Sequence, residues 1–234
     1  MEQKIKINNN KDQKLVGLYF LNNSEELIII CHGFHDSKDI FAIRELSKCL
    51  NKNHYSTFRF DFTGHGESEG SFEDNLIQQV EDVEKVVSYF KNKHKRIVLL
   101  GVSLGALVSS LSVMKNKNIS KLITINGFFF LNFFNIAWKF SKYLIILCFM
   151  SLFKTDVRKN FSFYFKKFIP NNIKIPVLII CGKKDKKINF KQSVKFYSLL
   201  NSTKDIKILN NIDHGLTKKE YVYDVGKEIV NWLN

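Results

Sequence analysis

The chain has 234 residues, 45% of them apolar, which is enough to bury a sizeable core and too many for intrinsic disorder. Two prolines and 11 glycines exclude a collagen-like or Pro/Gly-rich low-complexity chain. The formal net charge is +14, carried by 32 Lys against 4 Arg beside 23 Asn; this composition reads as coding bias, and the scarcity of Arg counts against base readout, so nucleic acid is not an expected partner.

In chain order, strand-like runs fall at Lys4–Ile7, Leu15–Phe20, Leu27–Cys31, Thr57–Asp61, Arg96–Val102, Lys121–Asn126, Val177–Gly182 and Ile206–Leu209. Several are continuously apolar, as parallel strands covered on both faces are. Helical periodicity falls between them, over Asp39–Asn51, Asn75–Lys91, Leu104–Met114, Phe190–Leu200 and Lys218–Trp232. In the second of these, Leu76, Val80, Val83, Val87 and Phe90 recur every three or four residues while Glu81, Asp82, Glu84 and Lys85 fill the opposite face. The alternation predicts an α/β fold with a mostly parallel eight-stranded sheet and helices on both faces. The short link between the first two strands suits an antiparallel edge. No internal repeat or linker divides residues 1–234, which are expected to form one domain.

About fifty residues separate the sixth and seventh strands, far more than an ordinary connection. Of the 22 Phe, 12 lie within Phe128–Phe168, together with six Lys or Arg between Lys139 and Lys166, Lys167, and the single acid Asp156. Neither uncharged run there, Leu122–Trp138 or Tyr143–Phe153, reaches the roughly 20 apolar residues of a membrane span. An inserted helical cap over about residues 128–170 is expected instead. The cysteines Cys31, Cys49, Cys148 and Cys181 form no CxxC pair, so no metal site or redox motif is expected. No apolar run follows the basic N-terminus, which predicts a reducing, cytoplasmic location.

Gly101-Val102-Ser103-Leu104-Gly105 is a G-x-S-x-G sequence between a strand and an apolar helix. In that context the glycines permit a sharp turn that exposes the serine hydroxyl at the carboxyl edge of the sheet, where it can act as a nucleophile. Of the six His, only His214 follows Ser103. It lies in a loop after the last strand, as the general base does in the chain order Ser, acid, His. No Glu lies between them, and the Asp residues are Asp156, Asp185, Asp205 and Asp213. Asp156 falls in the cap, Asp205 at the opposite edge, and Asp213 adjoins His214 too closely for a well-aligned pair. Elimination leaves Asp185, just beyond the carboxyl end of the seventh strand, to orient His214. The turn His32-Gly33-Phe34 supplies a second glycine at the same edge, and the backbone N–H groups of Phe34 and Leu104 are the candidate oxyanion donors. Phe34 is also a candidate wall of the acyl pocket.

These residues together resemble the α/β-hydrolase fold family over essentially the whole chain. His32-Gly33-Phe34 and Phe60-Asp61-Phe62-Thr63-Gly64-His65-Gly66-Glu67-Ser68-Glu69-Gly70 are similar to the HGF and D-x-x-GHG-x-S blocks of bacterial acyl esterases. The continuation Ser71-Phe72-Glu73-Asp74 resembles the cinnamoyl/feruloyl esterase and lipase-like group. The resemblance implies a serine hydrolase without cofactor or metal, using Ser103, Asp185 and His214 on a small-molecule or lipid ester. Val102 stands where these esterases often carry His. The Phe- and Lys-rich insertion motivates a rival expectation, a lipase or lysophospholipase working peripherally on an anionic membrane. A non-catalytic interaction protein on the same scaffold is the further alternative.

Overall fold

The computed structural model describes residues 2–72, 76–130 and 168–234. All eight expected strands are present: β1 (Glu2–Asn8), β2 (Lys14–Phe20), β3 (Glu26–Cys31), β4 (Ser56–Phe60), β5 (Arg96–Val102), β6 (Ile119–Ile125), β7 (Val177–Gly182) and β8 (Lys204–Leu209). The described helices are α1 (Phe41–Lys52), α2 (Leu76–Phe90), α3 (Leu104–Lys115), α4 (Lys191–Leu199) and α5 (Lys219–Leu233). One sheet holds the strands in the order β1-β2-β4-β3-β5-β6-β7-β8. β1 and β2 pair antiparallel at one edge and β2 meets β4 antiparallel; from β4 to β8 every pairing is parallel. Most of the expected cap, residues 131–167, and with it Cys148 and Asp156, lies outside the described residues. Among the described residues no helix is long and apolar enough to cross a membrane.

The continuous apolar runs are explained by the two-sided core. In β3, Leu27, Ile29 and Cys31 face α2 and α3, while Ile28 and Ile30 face α1 and α5. β7 repeats the pattern, with Val177 and Ile179 on the first side and Leu178 and Ile180 on the second. Because side chains alternate across a strand, each run must be apolar at every position to serve both layers. The helices need only one apolar stripe. α1 buries Ala42, Ile43, Leu46 and Leu50, and α5 buries Val222, Val225, Ile229 and Leu233. α3 is buried nearly all round, from Leu104 to Val113, because it is packed between the sheet and α2. With every crossover helix so placed, the carboxyl ends of β3, β5, β6 and β7 open on one edge, where ligands bind in sheets of this kind.

Two aromatic anchors bracket residues 131–167. Phe129, fully buried beyond β6, stacks on Phe196 of α4 with ring centroids 4.0 Å apart and on Phe168 at 6.3 Å. The Gln192 Oε1 accepts the N–H groups of both Phe129 and Phe130, at 3.0 and 3.1 Å. The chain therefore leaves and re-enters the described structure at one place.

Candidate active site

Ser103 sits between β5 and α3 with φ 54° and ψ −116°, a conformation that non-glycine residues rarely adopt. Close approach fixes the glycines around it. A Cβ on Gly101 would meet the Gly105 carbonyl oxygen at 2.2 Å, and one on Gly105 would meet the Cys31 carbonyl oxygen at 2.3 Å. The elbow is anchored at both sides, as the Ser103 N–H donates to the Ile125 carbonyl at 3.0 Å and its own carbonyl accepts from Phe128 N–H at 3.1 Å.

His214 and Asp185 come to this serine from distant loops. The His214 Nε2 stands 3.1 Å from Ser103 Oγ, and its Nδ1 stands 2.7 Å from Asp185 Oδ2. With the ring proton on Nδ1, donated to the carboxylate, Nε2 is free to accept the serine proton. The Asp185 side chain is buried and that of His214 nearly so. The second oxygen of Asp185 accepts the N–H groups of Lys187 and Ile188, both at 2.8 Å, which fixes the carboxylate plane. Asp213 is engaged elsewhere, with its carboxylate bonded to the N–H and hydroxyl of Thr217. Asp205 pairs with Leu178 near the amino end of β7, away from this edge.

The His32-Gly33-Phe34 turn lies against the elbow, since a Cβ on Gly33 would stand 3.3 Å from Ser103 Cβ. Neither the Phe34 nor the Leu104 N–H meets an acceptor among the described residues. The Phe34 ring is 39% exposed and packs edge-on against His35, which contacts Phe72. His32 braces the turn from beneath, its Nδ1–H donating to Gly33 O at 2.8 Å and its Nε2 accepting from Phe62 N–H at 3.2 Å. Burial pushes its pKa down to about 4, so the ring is neutral. Asp36, half-buried and hydrogen-bonded to the Gly33 backbone, is pushed up by burial against the opposing pull of Lys187 and His214.

Lys38, in the next stretch, is 1% exposed and lies within 3.0 Å of Asp39, 2.8 Å of Asp61 and 2.6 Å of Glu67. The Asp61 carboxylate also accepts the N–H groups of Lys38 and Glu67. Asp61 therefore joins the turn after β3 to the GHG segment, as does the ring contact of His65 with His32 at 5.0 Å. Residues the sequence reading passed over include Lys38 and Asn126. Asn126 directly follows β6, which already carries the polar Ser120, Lys121 and Thr124, so no break in pattern singles it out. The buried Cys31 and Cys181 thiols are pushed up to about 12 and about 11 by burial, which removes them as nucleophiles. Among the described residues no group of three or more His, Cys, Asp or Glu could hold a metal ion.

Residues 22–154 match the family model described as serine aminopeptidase, S33. The chain belongs to this family of α/β-hydrolases. Its architecture is shared by several solved structures. The esterase Pf2001 of Pyrococcus furiosus is 22% identical, with a TM-score of 0.78 over 100% of this chain and 92% of that one. Est1E of Butyrivibrio proteoclasticus, solved with ferulic acid bound, is also 22% identical, with a TM-score of 0.76 over 97% and 98%. DcsB, solved with a substrate analogue, reaches a TM-score of 0.82 at 15% identity over 100% and 99%. Among curated proteins, a probable alcohol acetyltransferase of Wickerhamomyces anomalus is 30% identical over 105 residues, or 44% of this chain and 29% of that protein. A counterpart from Cyberlindnera fabianii is 30% identical over 104 residues. The matches span less than a third of these two relatives. For this chain, family and fold together establish a hydrolase of the α/β type.

Proposed function

We propose that this S33-family protein is a serine hydrolase that cleaves carboxylic esters bearing a hydrophobic acyl or aryl group. The observation that carries the reading is the relay from Ser103 Oγ to His214 Nε2 at 3.1 Å and from His214 Nδ1 to Asp185 at 2.7 Å. Ser103 attacks the ester carbonyl carbon as His214 takes its proton. The N–H groups of Phe34 and Leu104 stabilise the tetrahedral oxyanion, the latter helped by the positive end of α3. The C–O bond to the leaving group breaks as His214 returns the proton to it, and an alcohol departs. Water then attacks the acyl-serine, His214 again takes a proton, and the carboxylic acid is released with Ser103 regenerated. Asp185 stays ionised throughout and stabilises the imidazolium. The half-exposed rings of Phe34 and Phe72 support an apolar substrate.

The test is a panel of p-nitrophenyl esters from acetate to palmitate beside a feruloyl ester, a monoacylglycerol and a lysophospholipid. A fluorophosphonate should label Ser103, and Ser103→Ala should lose both label and turnover while keeping its fold. Turnover that survives in Ser103→Ala sinks the reading. A preference for the lysophospholipid or monoacylglycerol, enhanced by anionic vesicles at low salt, selects the membrane-surface lipase instead. The likeness to probable alcohol acetyltransferases supports a second reading of the same acyl-serine, in which an alcohol replaces water as acceptor. Added ethanol should then divert product from free acid to ethyl ester.

A further inference from the structure

We infer that Asn126 is a positioning residue that holds the His214 and Asp185 loops in register with Ser103; this rests on the serine-hydrolase reading above. Asn126 directly follows β6 and is 2% exposed. Its φ is 47°, a left-handed conformation that Asn tolerates better than most residues. Its backbone N–H donates to Ile180 O at 2.9 Å, extending the β6–β7 ladder by one bond. The side chain reaches the last residue of β7 and the loop that follows β8. Its Oδ1 accepts the Gly182 N–H at 2.9 Å, and its Nδ2 donates to the carbonyls of Asp213 at 2.9 Å and His214 at 3.2 Å.

These partners are the roots of the site. Gly182 opens the turn to Asp185, whose N–H returns to the Gly182 carbonyl at 3.3 Å. His214 carries the base itself. Ser103 is tied to the preceding peptide, through its N–H to Ile125 O at 3.0 Å. Residues 125 and 126 therefore contact all three loops, and Asn126 uses both amide hydrogens and one oxygen lone pair to do so. The two loops it joins are already in close approach, for a Cβ on Gly182 would stand 2.1 Å from Ile212 O. Packing sets their separation, while the amide sets their register and the rotation of the His214 backbone. Asn126 itself is buried behind the loops and needs no contact with substrate.

Two substitutions separate this role from plain stability. Asn126→Gly keeps the left-handed backbone without strain and removes the three side-chain bonds. Asn126→Asp keeps the size and the acceptor for Gly182, but turns an oxygen onto two carbonyl oxygens. Turnover of a p-nitrophenyl ester is measured per fluorophosphonate-labelled serine, so that only folded, competent protein is counted. A misaligned relay should lower kcat per labelled site by roughly 10- to 100-fold. KM should stay within about twofold, and fluorophosphonate labelling should slow in parallel. Asn126→Asp should be hit at least as hard as Asn126→Gly. Wild-type kcat per labelled site in either variant, with only the melting temperature lowered, overturns the positioning role and leaves a structural one. Failure of both variants to fold does the same. If the wild type takes no label at Ser103, the serine-hydrolase reading falls and this inference falls with it. A labelled wild type with unimpaired variants overturns the Asn126 role alone.

Discussion

A carboxylate beside a histidine in sequence and one far from it offer two ways to orient the same ring. Asp213 adjoins His214, yet its oxygens are taken by Thr217 four residues on, which closes the loop on itself. Asp185 is 29 residues away and reaches Nδ1 at 2.7 Å, with its other oxygen held by two backbone N–H groups. Asp185→Asn would present an amide that stabilises the wrong imidazole tautomer and cannot balance the imidazolium. It should lower kcat by roughly 10³- to 10⁴-fold. Asp213→Asn leaves the ring's partner in place and should cost less than about tenfold, a loss of loop order alone. Steady-state kinetics of the two variants give the ranking, and the reverse order would move the orienting role to Asp213.

The elements that carry the site are fixed by interactions of very different range, and a single prediction tests the longest. Phe129 is fully buried against Phe168 and Phe196, which come from beyond residue 167 and also stack on each other. Phe129→Ala removes that ring from a closed stack and should destabilise the protein by about 3–5 kcal/mol in urea unfolding. Phe130, partly exposed and only tilted against its neighbours, should cost less than half as much; equal losses would mean that no staple closes here. The sequence reading recovered β5 and β7 with their bounds because each is a run with no polar interruption, stopped by a glycine-bearing turn. It singles out Ser103, His214 and Asp185, which the fold brings within hydrogen-bond reach of one another, because chemistry restricts which residue types can serve and chain order restricts which copies are eligible. It stopped short at α1, which begins at Phe41 rather than Asp39, because Asp39 is drawn to Arg59 and Lys38 instead of the helix. Lys38 and Asn126 were not legible for a related reason. Nothing local distinguishes a lysine between Ser37 and Asp39 from a solvated one. Its burial depends on Asp61 and Glu67, 23 and 29 residues ahead. Asn126 finds its partners 56, 87 and 88 residues away, where no periodicity reaches.

Across the whole molecule, the groups under the His32-Gly33-Phe34 turn make stability depend on pH earlier than carboxylates alone would. Burial lowers His32 to about 4, a push that the Gly33 carbonyl and Asp61 oppose and that His65 and Lys38 reinforce. Glu67 is lowered to about 2 by its hydrogen bonds to Lys38 first and Lys4 second. The two groups act in successive windows. Unfolded His32 takes up a proton below about pH 6.5 while the folded ring stays neutral, so folding is favoured in full above 6.5. That advantage drains as pH falls and is exhausted near 4, where the folded ring protonates too. Glu67 adds its stabilisation above the unfolded glutamate value, near 4.5, and loses it as pH falls towards about 2. Acid destabilisation should therefore start near neutrality with His32 and continue below 4.5 with Glu67. For a ring 1% exposed, a shift of this size corresponds to an effect on the order of 3 kcal/mol between pH 7 and pH 4. His32→Asn retains a donor for the Gly33 carbonyl but cannot titrate. It should be less stable than the wild type at pH 7, having lost ring packing and the Phe62 bond, and its stability should be flatter between pH 7 and 4. Urea unfolding of both proteins at half-unit intervals reads the two slopes. Parallel slopes would show that His32 is not the group being titrated, whereas a slope removed from 7 to 4 and preserved below 4 separates its contribution from that of Glu67.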